Sequence, residues 1–511
     1  MSDTSLTRTQ WCTIATAVLL MAGIQMDFSG IAVVLPPMGV ALDASSSSLE
    51  WILNAQLLAF APPVIAIGRM ADLFGQRRIA VLGGLLFAAS TLAIGFLSDP
   101  ASIIAFRALQ GIGSAMVCVT SLSLVSSALD EPRRALGIGI FTGGFLIFAA
   151  AGPMIAGFLA DALSWRWLFF VNGGFALAGV VLLYCFIAPA AGTRSGERFD
   201  FLGFLVLTAS LGVLVLGLQL VGDTGWGSTT VVSCLVASLV LLAAFYKIEK
   251  HAASPLVDLS LFGDRNFAGA CLFVFLSNLP VAALAFLLTL YIQYVIGYSA
   301  WVNGMLFLAM MVPVALFALL SGRLLQHISP PVALSLSMAL MALSFVCLGL
   351  VHPDFGMGFL ILGLVLFGSG RGLMFGIASP VAMGAVPESK AAAASGILFF
   401  SINIALPIGV SLLTALFRDW ENLHLSHILA LAGDRVSDDM RAEIVGLLSG
   451  SDAARNELAR LAPEIAERVH QVVDHAFAHG FRNVMFVCLA LSVAGMMSAL
   501  IVRGGRLHDP K

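Results

Sequence analysis

The sequence predicts an all-α, polytopic membrane protein: two pseudo-symmetric six-helix bundles with two extra transmembrane helices between them, fourteen spans in all. Three observations carry that expectation. The 511-residue chain has a mean hydropathy of +0.99 and only 11% charged residues, whereas a soluble domain carries about 25%. Apolar runs of the ~20 residues needed to cross hydrocarbon recur along its whole length. Lys and Arg, finally, sort onto alternate loops. The formal net charge of −3 offers no basic surface for nucleic acid. Seven cysteines are scattered through apolar stretches without a CxxC pair. They read as small core residues rather than a disulfide or metal framework.

In chain order, the runs begin near Trp11, Leu49, Ile79, Ala101, Ala135, Trp167, Phe201, Thr230, Phe267, Val302, Val332, Gly358, Ala394 and Phe481. The first follows a single basic residue, Arg8, and is too long for a signal-peptide core, so it reads as an uncleaved span. Runs one to six make an N-terminal bundle over 1–190. Two extra spans with cytoplasmic linkers fill 191–265, and the first five spans of the C-terminal bundle occupy 266–417. A long outer loop follows over 418–480, then the last span and tail over 481–511.

An even count places both termini on one side. Sixteen of the 26 Lys and Arg fall in loops on that side, and the short loops opposite hold only Arg166. By the positive-inside rule both termini are cytoplasmic. Short termini without an organelle address point to a bacterial inner membrane. Arg107 and Arg371 remain inside the bilayer. In the outer loop, Leu458, Leu461, Ile465, Val469 and Val472 recur at helical spacing, and Met440, Ile444, Leu447 and Leu448 sketch a shorter helix. A hairpin packed over the exit and a docking surface for an accessory protein are both compatible with that pattern.

The chain also repeats itself. "GRMADLFGQRR" (68–78) and "GRLLQHISPP" (322–331) each put Gly-Arg at a helix end before a short polar turn. "RALQGIGSA" (107–115) and "GSGRGLMFG" (368–376) each set an arginine in a Gly-rich span. Parallel repeats with a site at the interface near the midplane describe one large transporter architecture.

On these residues the chain resembles the major facilitator superfamily, in particular its fourteen-span drug:proton antiporters, multidrug exporters of the quaternary-ammonium-compound type. Gly68, Asp72, Gly75, Arg77 and Arg78 match the cytoplasmic loop motif; Arg107, Gln110, Gly111 and Gly113 match the fourth-span motif. "GPMIAG" (152–157) matches the fifth-span antiporter motif, with Ala156 where a second glycine is usual. "WRWLFFVN" (165–172) fits the entry to the sixth span, and "MDFSGIAVVLP" (26–36) the first-span motif with Asp27 at its acidic position. The resemblance implies export by exchange with protons, with no cofactor beyond the proton gradient. Its partners are then a hydrophobic small molecule, protons and the bilayer.

The residues carry physical readings of their own. Asp27 is the one acid within the apolar cores, where insertion disfavours a carboxylate by about 3 kcal/mol. It lies about 9 residues below the outer end of its span and Arg107 about 7, which places both in one slab roughly 10 to 14 Å deep. Burial disfavours the charged carboxylate and a cation favours it, so such a pair can take up a proton in one state and release it in another. A static ion pair that fixes packing is the competing reading. Asp72 caps a helix or pairs with an arginine, latching the halves together; the second copy has Gln326 in its place. Gly152, Pro153 and Gly157 stand on small-residue stripes that let backbones approach. Arg371 sits near mid-membrane between glycines, where it binds an anionic group, satisfies helix-end carbonyls or pairs with Asp27 across the cavity. Gln110, Gln293, Tyr291, Asn54 and Gln56 are further candidates for substrate contact, with Asn278, Asn303, Asn403 and Tyr294 on the cavity wall.

Spans nine to thirteen hold no acid in their apolar cores, which argues against substrates with two positive charges. No HExxH, GxSxG or Walker loop is present, and the outer-loop histidines lack a compact ligand spacing, so neither an enzyme nor a metal site is expected. The sequence leaves two transport readings: a proton-coupled exporter, or a carrier for one lipid or metabolite working as an exporter, uptake symporter or uniporter.

Overall fold

The computed structural model describes residues 6–187, 200–252, 255–351, 357–384, 386–387, 390–432 and 463–502. Each apolar run becomes one long helix. In order these are α1 (Arg8–Leu42), α2 (Ser46–Phe74), α3 (Gln76–Phe96), α4 (Pro100–Ser127), α5 (Glu131–Ala162), α6 (Arg166–Phe186) and α7 (Phe201–Thr224). There follow α8 (Thr229–His251), α9 (Arg265–Leu290), α10 (Ala300–Leu324), α11 (Pro330–Gly349), α12 (Gly358–Gly384), α13 (Ala391–Ala432) and α14 (Pro463–Ile501). No strand occurs among the described residues. In hydrocarbon each backbone N–H and C=O must be satisfied within its own segment, so a spanning chain of this kind folds as helices. Thirteen of the helices are long and apolar enough among the described residues to cross a membrane.

Polar caps set the ends. Thr7 and Gln10 form a reciprocal capping box at α1, and Asp99 accepts from the Ser102 N–H at 2.8 Å to start α4. That contact holds the exposed Asp99 carboxyl below its ordinary pKa. Between α2 and α3 the chain turns on one residue, Gly75, at φ +93°, a conformation that side chains disfavour. The last two helices differ from the sequence reading. α13 runs on to Ala432 and α14 begins at Pro463, so the apolar spans continue into more polar helical extensions. Ile465, Val469 and Val472 therefore lie on α14 itself; 433–462, with the shorter helix expected there, lies outside the described residues.

Helices α1–α6 pack as one bundle and α9–α14 as another, with α7 between them against α13 and α2, and α8 outside α7. The bundles meet along α5–α10 and α2–α13. Among the described residues, polar contacts between them lie at the end opposite the termini. Asn54 Nδ2 donates to Ser411 Oγ at 2.9 Å, and Arg418 pairs with Glu50 at 3.1 Å. Gln293 donates to the Val33 carbonyl at 2.9 Å, and the Trp301 N–H to Asp161 at 2.9 Å. Toward the terminal end, Cβ atoms placed on Gly68, Gly139, Gly143 or Gly396 would meet nothing. The distal end is thus where polar contacts join the halves.

Candidate functional site

The central polar cluster of the N-terminal bundle is built from α1, α2, α3 and α4. Arg107 Nη1 donates to Asp27 Oδ2 at 2.7 Å and to Gln110 Oε1 at 2.9 Å. Its Nε donates to the Ile52 carbonyl at 2.9 Å, and Gln110 Nε2 donates to Thr91 Oγ1 at 2.9 Å. All four side chains are fully buried. One acceptor is left over: Asp27 Oδ1 has no partner among the described residues. A buried carboxylate oxygen of that kind is costly, and it is also the place where a proton can be received.

Helix α5 connects this cluster to the other half. A side chain at Gly152 would overlap Ser29 and crowd the Met26 backbone of α1, two residues and one residue from Asp27. One turn further, Gly157 meets the Ala300 carbonyl of α10, and Gly304 of α10 meets that of Pro153. Ala156 replaces the usual glycine without a clash because the residue facing it, Gly30, has no Cβ of its own. Helix α2 makes a second connection. Its Ile52 carbonyl holds Arg107, while Glu50 and Asn54, to either side, hold α13. Glu50, at the start of its apolar run, and Arg418, just past the end of another, carry no sign of a partner in the sequence, yet Glu50 is 2% exposed. Gly222 of α7 leaves the room that the Arg418 side chain occupies.

Of the residues expected at a loop latch, Arg77 donates to the Tyr184 carbonyl at 2.8 Å and lies over the Tyr184 ring. It thereby ties the turn to α6 in its own half. Arg78 is exposed. A side chain at Gly68 would meet no neighbour; the Asp72 side chain lies outside the described residues.

The substrate candidates separate into groups. Gln110 belongs to the Arg107 cluster rather than to a cavity wall. Tyr291 is buried inside the C-terminal bundle, stacked on Phe481 at 5.0 Å. Asn54 and Gln293 join the halves at the distal end, and Gln56 faces Ser114 of α4 at 3.5 Å. Arg371 does not reach Asp27. Its Nη1 donates to Asn278 Oδ1 of α9 at 3.1 Å, and its guanidinium lies 4.8 Å from the Phe375 ring centre.

A family model described as "Major Facilitator Superfamily" matches residues 17–410. The chain is 30% identical over 440 residues to the multidrug resistance protein Stp of Mycobacterium tuberculosis (strain CDC 1551 / Oshkosh), covering 86% of this chain and 82% of that one. It is 33% identical over 408 residues to the cephamycin export protein CmcT of Amycolatopsis lactamdurans, covering 76% and 82%. Among solved structures, a bacterial homolog of the human lysosomal transporter Spinster, inward-facing and unoccupied, matches with TM-score 0.63 at 14% identity, covering 98% of each chain. That likeness is one of fold.

Proposed function

The chain belongs to the major facilitator superfamily, as a transporter and not an enzyme, and from that premise we propose that it exports hydrophobic or amphiphilic small molecules in exchange for protons, by alternating access. The export direction is supported by its relatives, named for multidrug resistance and cephamycin export. Proton coupling is supported above all by the buried Asp27–Arg107 pair with its unpartnered Oδ1.

Protonating Asp27 removes its attraction for Arg107, which keeps two neutral acceptors, Gln110 and the Ile52 carbonyl. The rearrangement is felt on α2 between Glu50 and Asn54, and on α1 where Gly152 of α5 packs. Those two helices make the distal seal, α2 against α13 and α5 against α10. A change of charge at one buried carboxylate thereby biases whether the distal end opens, which is the coupling an antiporter needs. The small-residue contacts let α5 rock on α10 without side chains interlocking. In this reading the terminal end is cytoplasmic and the membrane is a bacterial inner membrane.

The test is transport in vesicles holding the purified protein, wild type against Asp27→Asn. Wild type is expected to move a neutral fluorescent amphiphile in response to a pH gradient and to release protons when it is added. Asp27→Asn is expected to lose both responses. Gradient-driven transport that survives in the variant would remove Asp27 from coupling, and a wild type indifferent to the gradient would sink antiport altogether.

A further inference from the structure

The C-terminal half repeats the arginine cluster without its acid. Arg371 of α12 donates to Asn278 of α9 as Arg107 of α4 donates to Asp27 of α1, first and fourth helices of a half in both cases. Asn278 holds its amide in place by donating from Nδ2 to the Val274 carbonyl at 2.7 Å, which leaves Oδ1 directed at the guanidinium. The amide orients Arg371 and does nothing to neutralise it. No carboxylate pairs with Arg371 among the described residues.

Arg371 is packed by neighbours on two sides and stays partly exposed. Gly368 and Gly372 press on the α10 backbone at Met310 and Val314, and Gly370 on α11 at Ser337. Arg371 looks instead toward α9, and Phe375, one turn nearer the termini on that same face, is 42% exposed. Helix α9 also touches α1 of the other half. A half-buried guanidinium with a ring at its flank therefore stands beside a helix that meets the other half, near the middle of its span.

An uncompensated guanidinium at that depth is among the costliest groups a span can carry, and an amide with one aromatic face offsets only part of it. Where the guanidinium is exposed, water solvates the remaining charge. Once the halves close over it in the transport cycle, that water is lost, and a bound anion supplies the missing countercharge. We infer that Arg371, positioned by Asn278 and flanked by Phe375, binds the acidic group (carboxylate, sulfonate or phosphate) of an amphiphilic substrate. The exporter on this account selects organic anions over cations of the same skeleton. The inference rests on the export reading above and names its substrate class.

The test compares two probes of one skeleton, 8-anilino-1-naphthalenesulfonate and the neutral N-phenyl-1-naphthylamine. Binding to the full-length protein in bilayer discs is read against empty discs. The readout is the ratio of the two affinities, which separates charge recognition from general loss of the site. Arg371→Gln is expected to lower the preference for the sulfonate by about tenfold or more, and Arg371→Lys to retain most of it. Asn278→Asp keeps the arginine and supplies an internal anion, and it is expected to lower the ratio similarly even if Arg371→Gln does not fold. A ratio unchanged in both Arg371→Gln and Asn278→Asp, or no saturable sulfonate binding to wild type, overturns the assignment. Gradient-driven movement of the neutral probe in wild type, alongside such a result, would leave the export reading standing; its absence would sink that reading too.

Discussion

Two arginines hold matching places in the two halves, and their surroundings differ in one decisive respect. Arg107 is sealed, 0% exposed, and ends on a carboxylate. Arg371 is half-buried and ends on an amide. One geometry thus carries two different partners, an acid in the first half and an amide in the second. On the proposals above, the first arrangement suits response to a proton and the second response to an anion. A third arginine, Arg418, pairs with Glu50 across the halves rather than within one, a contact that the proposed alternating access would have to break.

The comparison is broken most directly by removing the sealed cation. Arg107→Leu leaves Asp27 buried without a countercharge and is expected to cost about 3–5 kcal/mol, read as a large fall in thermal unfolding temperature or loss of monodisperse protein. Arg371→Gln, which strands only an amide, is expected to cost clearly less; equal losses would show that the two arginines are not distinguished by their partners. Next in size is Gly157→Val, whose side chain would overlap the Ala300 carbonyl. Overpacking of this kind costs about 1–3 kcal/mol, here by pushing α5 from α10, and faster labelling of a cysteine placed at the distal end would report it.

Glu50→Gln sharpens the contrast between an ion pair within a half and one between halves. It weakens a charge-assisted contact worth about 1.5–3 kcal/mol, partly replaced by the amide, and is expected to shift the population toward distal opening without the collapse caused by Arg107→Leu. The smallest effect belongs to the solvent-facing pair Asp258–Lys390, at 2.8 Å, joining the linker after α8 to the start of α13. Lys390 and Ser260 hold the Asp258 carboxyl below its ordinary value. Its contribution is thus complete above the usual aspartate range near pH 4 and is lost as pH falls through the depressed value. Exposed pairs contribute up to about 1 kcal/mol, so Asp258→Asn should lower stability at pH 7 only slightly, with the difference vanishing in strong acid.

Much of this was legible before any coordinates. Thirteen of the fourteen helices begin within a few residues of the apolar runs, since hydrocarbon thickness imposes a length that polar residues would interrupt. The exceptions are the outward ends of α13 and α14. Their extensions, with His424 and His479 stacked 4.1 Å apart between them, are too polar to look like spans yet remain helical. At the site, depth alone brought Asp27 level with Arg107. Gln110 reads as a candidate for substrate contact because a lone amide in an apolar helix carries no sign of which neighbour it serves. Thr91 was one hydroxyl among many, and the Ile52 carbonyl has no sequence signature at all.

By itself, then, the sequence determined the helices, their number, the segregation of basic loops and the presence of two arginines at membrane depth. Hydrophobic run length and charge placement are local properties, readable a few turns at a time. Only the tertiary structure decided that Arg107 meets Asp27 while Arg371 meets Asn278, that Gly152 packs beside the acid, and that Glu50 closes the distal end with Arg418. Those pairings depend on how helices from distant parts of the chain rotate and cross. A helical period fixes which residues share a face, and it does not fix what that face will meet.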